Sequence, residues 1–259
     1  MERLAGFADR LAITAFAGAK TVRLEVFQLT KTEADKLRRA FGGVIAIQKS
    51  PRFTSPKRRP PIVVRGKLAI VANEAERRAV RAGMPVLLIP AGLAFGTGEH
   101  ATTSACLRLL ADVAGELAER PWEMLDLGCG SGILAFAGRL LGARQADAVD
   151  FDLQAVRTAR DNARANGLRG VSVKRLDVRT WQPARTWDVV TANLLSGLLI
   201  EIAPKLAVSV ATGGALILSG ILRTQEAEVL AAFRRAGFHM LRKVRKGKWV
   251  ALMAKRAAR

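Results

Sequence analysis

The stretch Leu125-Asp126-Leu127-Gly128-Cys129-Gly130-Ser131-Gly132 joins an apolar strand pattern, Trp122 to Gly128, to a helix pattern, Gly132 to Gly142. Glycine at alternate positions lets the backbone turn tightly and lets a ligand approach closer than a Cβ would permit. A dinucleotide-binding fingerprint, G-x-G-x-x-G, needs glycine at 133, where Ile133 stands. The spacing G-x-G-x-G argues against NAD and FAD, whose pyrophosphate uses the longer pattern, and for a nucleoside without phosphates.

Working outward, strand and helix patterns alternate. Gln145 to Asp150 reads as a strand and Asp152 to Asn166 as a helix closed by Gly167. Val171 to Asp177 and Asp188 to Asn193 read as strands, Gly197 to Val210 as an apolar helix, Ala215 to Ser219 as a strand and Thr224 to Ala236 as a helix. His239 to Val244 and Trp249 to Ala254 form a terminal hairpin turning at Lys246-Gly247-Lys248. Repeated β-α units imply an α/β fold with a parallel sheet covered by helices on both faces. The hairpin adds an antiparallel edge strand.

Upstream the pattern changes twice. Residues 1–49 read as a small unit: an apolar start at Leu11 to Ala19 with the character of a short helix, a strand from Thr21 to Leu29, a helix from Thr32 to Ala40 and a strand from Val44 to Gln48. Glu2 and Asp9 cancel the positive flank that a signal peptide requires. This β-α-β unit is too small to bury a stable core alone. Residues 50–84 open as a stiff basic connector with Pro51, Pro56, Pro60 and Pro61, then continue as a β-rich stretch, Ile62 to Val71, split by a turn at Arg65-Gly66-Lys67. Residues 85–259 hold the alternating α/β pattern.

The 259 residues carry a net charge of +20, with basic runs between Lys49 and Lys67 and between Arg234 and Lys248. Such a field draws polyanions, RNA or ribosomal particles among them, or simply keeps the protein dispersed. Only Phe53 and Phe238 accompany the runs, so base stacking on aromatics has little support. Half of the residues are hydrophobic, which excludes a wholly disordered chain, and no apolar run reaches bilayer length. Two cysteines, Cys106 and Cys129, make neither a disulfide framework nor a zinc cluster and point to a reducing cytoplasm.

Asp150 closes the strand after the glycine turn, 22 positions beyond Gly128, near the spacing at which a carboxylate accepts ribose hydroxyls. Asp152 fits better as the cap of the following helix. Asp177 ends the third strand, where it either approaches an adenine amino group or forms a surface turn. Asn193 ends the fourth, at the carboxyl edge where open α/β sheets place ligands. His100 is a candidate general base or an orienter of its loop; His239 reads as packing or surface. Trp181, Trp187 and Trp249 read as packing, and Cys129 as a small buried hydrophobe rather than a nucleophile.

The run Gly92-Leu93-Ala94-Phe95-Gly96-Thr97-Gly98-Glu99-His100-Ala101-Thr102-Thr103, the Asp126 to Gly132 loop, Asp150-Phe151-Asp152 and Ala192-Asn193-Leu194-Leu195 together resemble the PrmA-type S-adenosylmethionine-dependent methyltransferases. That family modifies amino groups of the large-subunit ribosomal protein L-eleven. The resemblance covers Ile62 to the C-terminus and implies a class I, Rossmann-like methyltransferase with a seven-stranded sheet. It further implies that Thr103, Gly128, Asp150 and Asn193 contact S-adenosyl-L-methionine, with Asp126, Gly130 and Gly132 completing the cofactor loop. On the chemistry of amine attack, the candidate catalytic residues are Asn193, whose side-chain carbonyl can accept an amine N–H and orient its lone pair, and His100, as a base or an orienter of its loop. Ala101 stands where the family commonly has proline and Ser196 where it has alanine. The tryptophan-rich stretch typical before the catalytic domain is missing from the N-terminal zone, which in the family selects the ribosomal protein. Alternatives to the ribosomal-protein acceptor are a small-molecule or RNA nitrogen, or a basic ribosome-binding module without activity.

Overall fold

The computed structural model describes residues 11–15, 22–26, 30–42, 60–90 and 96–257. Backbone contacts divide the chain into two units, 1–57 and 58–259.

In the first unit, strands β1 (Leu11–Ala15) and β2 (Val22–Val26) pair antiparallel, and helix α1 (Lys31–Phe41) follows. Leu11–Ala15 is thus a strand, not the short helix that the apolar run suggests. Five apolar and small residues fit either state, and the pairing with β2 decides. α1 begins with a capping box: Thr30 Oγ1 accepts from Glu33 N while Glu33 accepts from Thr30 N. The expected strand from Val44 to Gln48 and the proline-rich start of the connector lie outside the described residues.

The second unit contains two sheets. Strands β3 (Ile62–Val64), β4 (Leu68–Val71) and β5 (Val86–Leu88) form the smaller one, with a short helix α2 (Glu74–Arg77) between β4 and β5. Arg65 and Gly66 take φ of 53° and 68°, the positive values that a two-residue hairpin turn demands, and Lys67 N donates to Val64 O. A boundary drawn between 84 and 85 passes between β4 and β5, which are hydrogen-bonded neighbours. Residues 58–84 are therefore grouped with the larger domain.

The second sheet comprises β6 (Glu123–Leu127), β7 (Gln145–Asp150), β8 (Val171–Arg175), β9 (Trp187–Asn193), β10 (Val210–Leu222), β11 (Phe238–Lys246) and β12 (Trp249–Arg256), in the order β11-β12-β10-β9-β6-β7-β8. Five adjacent strands, β10, β9, β6, β7 and β8, pair in parallel, and β11 at the far edge runs in the same direction. β12 is antiparallel to both neighbours and lies between β10 and β11, so the antiparallel strand is inserted one place inside the edge rather than at it. Its side chains show why: Val250 to Ala254 are all buried, whereas β11 is largely exposed. Helices α3 (Ala101–Glu116), α4 (Ile133–Leu140), α5 (Leu153–Ala165), α6 (Ser196–Ser209) and α7 (Glu226–Arg235) connect the strands.

Strand alternation sorts the core into two layers. Met124, Val189, Ile217 and Met253 face one cluster with Cys106, Leu110 and Phe136. Leu125, Leu127, Val190, Leu216 and Leu252 face the other with Leu199, Ile202 and Phe233. No helix among the described residues is long and apolar enough to cross a membrane.

Part of the basic charge is tied into the fold. Arg65 and Arg242 both reach Asp112 Oδ2, at 2.8 and 2.7 Å, while Lys243 and Arg245 bond to Glu226, whose side chain is only 7% exposed.

Candidate functional site

The parallel strands β6, β7 and β9 end together, and chain direction diverges here: β7 lies on one side of β6 and β9 on the other. Such a switch point leaves a crevice that no crossover helix fills. A cleft of about 230 Å³ lies here, lined by Thr103, Gly128, Gly130, Asp150 and Asn193, with apolar walls that include Ile133 and Leu198.

The glycine turn is built as its spacing predicts. Gly128, Gly130 and Gly132 have φ of 71°, 54° and 84°, a region hostile to side chains. A Cβ at Gly128 would lie 2.3 Å from Leu194 Cδ2, and one at Gly132 would lie 2.2 Å from the Phe136 ring. Gly130 N donates to Asp150 Oδ2 at 2.9 Å, and Asp152 N donates to Asp150 Oδ1 at 3.0 Å. Two backbone amides thereby fix the Asp150 carboxylate at the rim. Asp152 caps α5, its Oδ1 accepting from Gln154 N. Asp177 is exposed, lines the cleft and accepts from Arg179 N.

Thr103 sits in the first turn of α3, and its Oγ1 is buried with no hydrogen-bond partner. An unpaired buried hydroxyl costs free energy, which a ligand acceptor or donor would recover. Asn193 closes β9, and its Nδ2 donates to Thr102 Oγ1 at 3.3 Å. His100 is the N-cap of α3: its Nδ1 accepts from Thr102 N and lies 2.7 Å from Thr102 Oγ1, while its ring stands edge-on to Trp249 at 5.3 Å.

Asp126 and Gly132 lie beside the cleft rather than on its wall. Gly132 turns the chain into α4. Asp126 is buried beneath the turn, accepting from Thr191 Oγ1 at 2.6 Å, with Oδ2 unpartnered. Burial pushes its carboxyl up to about 7, against the Thr191 hydroxyl and the Ala135 amide, and the Asp150 charge adds to the rise. Burial likewise pushes the Cys129 thiol up and the Cys106 thiol to about 12, so neither is a ready nucleophile. His239 is exposed on β11, Trp187 is buried with Nε1 donating to Asp147, and Trp181 packs against it.

Sequence reasoning passed over Thr102, Ser131 and Asn162. Ser131 Oγ donates to Gly96 O at 2.6 Å and Asn162 Nδ2 to Ser131 O at 2.9 Å, tying the glycine turn to the preceding loop and to α5. Asn162 had a legible signal: it falls on the stripe of Ala155, Val156 and Ala159, an amide on an apolar helix face.

The family model described as "Ribosomal protein L11 methyltransferase (PrmA)" matches residues 6–257. The chain belongs to this family. Among curated PrmA-family relatives, the ribosomal protein L11 methyltransferase of Azotobacter vinelandii is 46% identical over 173 residues, 67% of this chain and 57% of that protein. That of Chromohalobacter salexigens is 40% identical over 198 residues, 76% of this chain and 64% of that protein. The chain thus spans a little over half to just under two thirds of the length of such relatives. A crystal structure of a ribosomal protein L11 methylase from Lactobacillus delbrueckii subsp. bulgaricus superposes with a TM-score of 0.67 at 29% identity, covering 77% of this chain and all of that one.

Proposed function

We propose that the chain transfers methyl groups from S-adenosylmethionine to amino groups, on lysine side chains or an N-terminus, of ribosomal protein L11. The observation that carries this reading is the convergence of Thr103, Gly128, Gly130, Asp150 and Asn193 on one cleft, in a chain of the PrmA family. The cleft suits the cofactor on two counts. Thr103 Oγ1 is buried and unpartnered, and the Asp150 carboxylate, oriented by two amides, keeps lone pairs for ribose hydroxyls. Thr103, Gly128, Asp150 and Asn193 would hold the cofactor, with Asp126 supporting the turn from below.

When bound, the cofactor supplies a methyl on a cationic sulfur, an electrophile that requires in-line attack by a lone pair. The protein's part is mainly positioning, worth up to about 7 to 11 kcal/mol for well-aligned reactants. A lysine ammonium, with an ordinary pKa of about 10.4, must first shed a proton. The apolar walls formed by Ile133, Leu134, Leu194 and Leu198 strip water from the incoming amine and favour its neutral form. Asn193 Oδ1 then accepts an amine N–H and turns the lone pair towards the methyl. His100, as a helix cap bonded to Thr102, serves this centre as an orienter rather than as a base.

Residues 1–49 are proposed to select the acceptor protein, and the unpaired part of the basic charge to draw the chain to ribosomal material. Two free cysteines, both buried, suit a reducing cytoplasm.

Calorimetry with S-adenosylmethionine tests the cofactor: no binding refutes it. Labelled cofactor incubated with extract of a strain lacking the enzyme tests the acceptor. Label on L11 supports the reading, whereas label on RNA or a metabolite, or no label, rejects it. Cross-linking of the acceptor to residues 1–49 tests the selection role.

A further inference from the structure

We propose that Thr102 and His100 are positioning residues that set which end of the Asn193 amide faces the cleft. This rests on the methyl-transfer reading above. The two ends of an amide side chain have nearly the same shape, so packing alone does not choose between them; hydrogen-bond polarity does.

The polarity follows step by step along the chain of bonds when His100 Nδ1 is the unprotonated ring nitrogen. Thr102 N lies 3.4 Å from His100 Nδ1, and a backbone amide only donates, so Nδ1 presents a lone pair. Thr102 Oγ1 lies 2.7 Å from the same nitrogen, which therefore takes the hydroxyl's single proton. Only lone pairs then remain on Thr102 Oγ1 for Asn193, 3.3 Å away, and they require Nδ2–H rather than Oδ1. No donor among the described residues meets Asn193 Oδ1, which is left to accept from an incoming amine. The reverse orientation would set lone pairs against lone pairs at Thr102 and aim two N–H groups at the amine, which cannot steer its lone pair. Thr102 is 2% exposed, so water has little room to relieve that mismatch.

The test compares the full chain with its Thr102→Val, Thr102→Ser and His100→Ala variants, using labelled S-adenosylmethionine and purified L11. Thr102→Val keeps the shape and removes the hydroxyl; kcat should fall roughly 10- to 100-fold, as for a misplaced reacting group. Cofactor Kd and acceptor KM should stay within about twofold, because the lost contact acts on the reacting amine. Thr102→Ser should restore most of kcat. The double variant His100→Ala with Thr102→Val should lose no more than the worse single one, since both act through one amide. Full activity in Thr102→Val, equal damage in Thr102→Ser and Thr102→Val, or additive losses would overturn the inference.

The Asn193 side-chain amide resonances give a readout that needs no turnover. They should shift in Thr102→Val and His100→Ala but hardly in Thr102→Ser, and unchanged resonances in the first two would overturn the proposal. If the wild type methylates nothing, the functional reading fails while these resonances still decide the amide question. If Thr102→Val does not fold, His100→Ala and Thr102→Ser carry both arms.

Discussion

Replacing Asp126 by asparagine removes a charge from beneath the glycine turn while keeping the side chain's size, and the consequence for stability has a definite sign. The carboxyl is 1% exposed, and burial lifts its pKa from 3.8 to about 7. A folded-state value above the unfolded one means that the native protein binds the proton more tightly. Between those two values stability therefore falls as pH rises, by about 1.4 kcal/mol per pH unit. Above about 7 the buried carboxylate costs the fold its full penalty, on the order of 4 kcal/mol from a shift of about three units. The Asp126→Asn variant has no such titration. Urea unfolding of both proteins at pH 5.5 and 8.5 should show the wild type losing about 2 kcal/mol relative to the variant as pH rises. Any constant offset from the amide's own hydrogen bonds cancels in that double difference. Parallel pH profiles for the two proteins would refute the assignment of a raised pKa to this group.

Gly128→Ala should cost about 1 to 2 kcal/mol of stability for a side chain at φ 71°, and the 2.3 Å contact with Leu194 Cδ2 should push that leucine into the cleft. Cofactor binding by calorimetry should weaken at least about tenfold, and unchanged binding would reject the close-approach role. Asp150→Ala should weaken cofactor binding by about 10- to 100-fold through loss of a charged acceptor, again read by calorimetry. Asn193→Ala should lower kcat more than cofactor affinity; equal losses in both would exclude the amine-orienting role. Glu226→Gln should lower the unfolding midpoint, because the Arg245 bond, with Lys243 beside it, holds the Glu226 carboxyl below its usual range. That depressed pKa makes the wild type's advantage full at neutral pH and lost as pH falls through it, and an advantage that persists in acid would contradict the pairing.

Much of the second unit's order was readable because its elements have strong local signatures. The glycine turn, the Asp152 cap and the continuous apolar runs of β9 and β10 are all carried by a few adjacent residues. α3 escaped notice for a physical reason: ten of its sixteen residues are buried, so it shows no polar stripe against which a helical period stands out. It also opens without an acidic first turn, its cap being His100. β5, three residues long, carries too little pattern and is recognisable only as the partner of β4.

Site residues divide in the same way. Gly128, Asp150 and Asn193 announce themselves by position at strand ends, because the carboxyl edge of a parallel sheet is where ligands bind. Asp126, in the same motif, was indistinguishable from them in sequence, yet strand alternation turns it inward towards Thr191 and away from the cleft wall. Thr102 and Thr103 are neighbours in sequence, but the helix they begin sends one hydroxyl to Asn193 and leaves the other unpartnered.

The sequence by itself determined the α/β class, the order of most elements, the glycine turn and the family, because these depend on local backbone preference and on motif spacing. Only the tertiary structure decided that Leu11–Ala15 is a strand, that β12 is inserted inside the edge, and that His100, Thr102 and Asn193 form one chain of hydrogen bonds. Those outcomes depend on partners far away in the sequence, as with Asn193, which lies 91 positions from Thr102. No local pattern encodes where such partners meet.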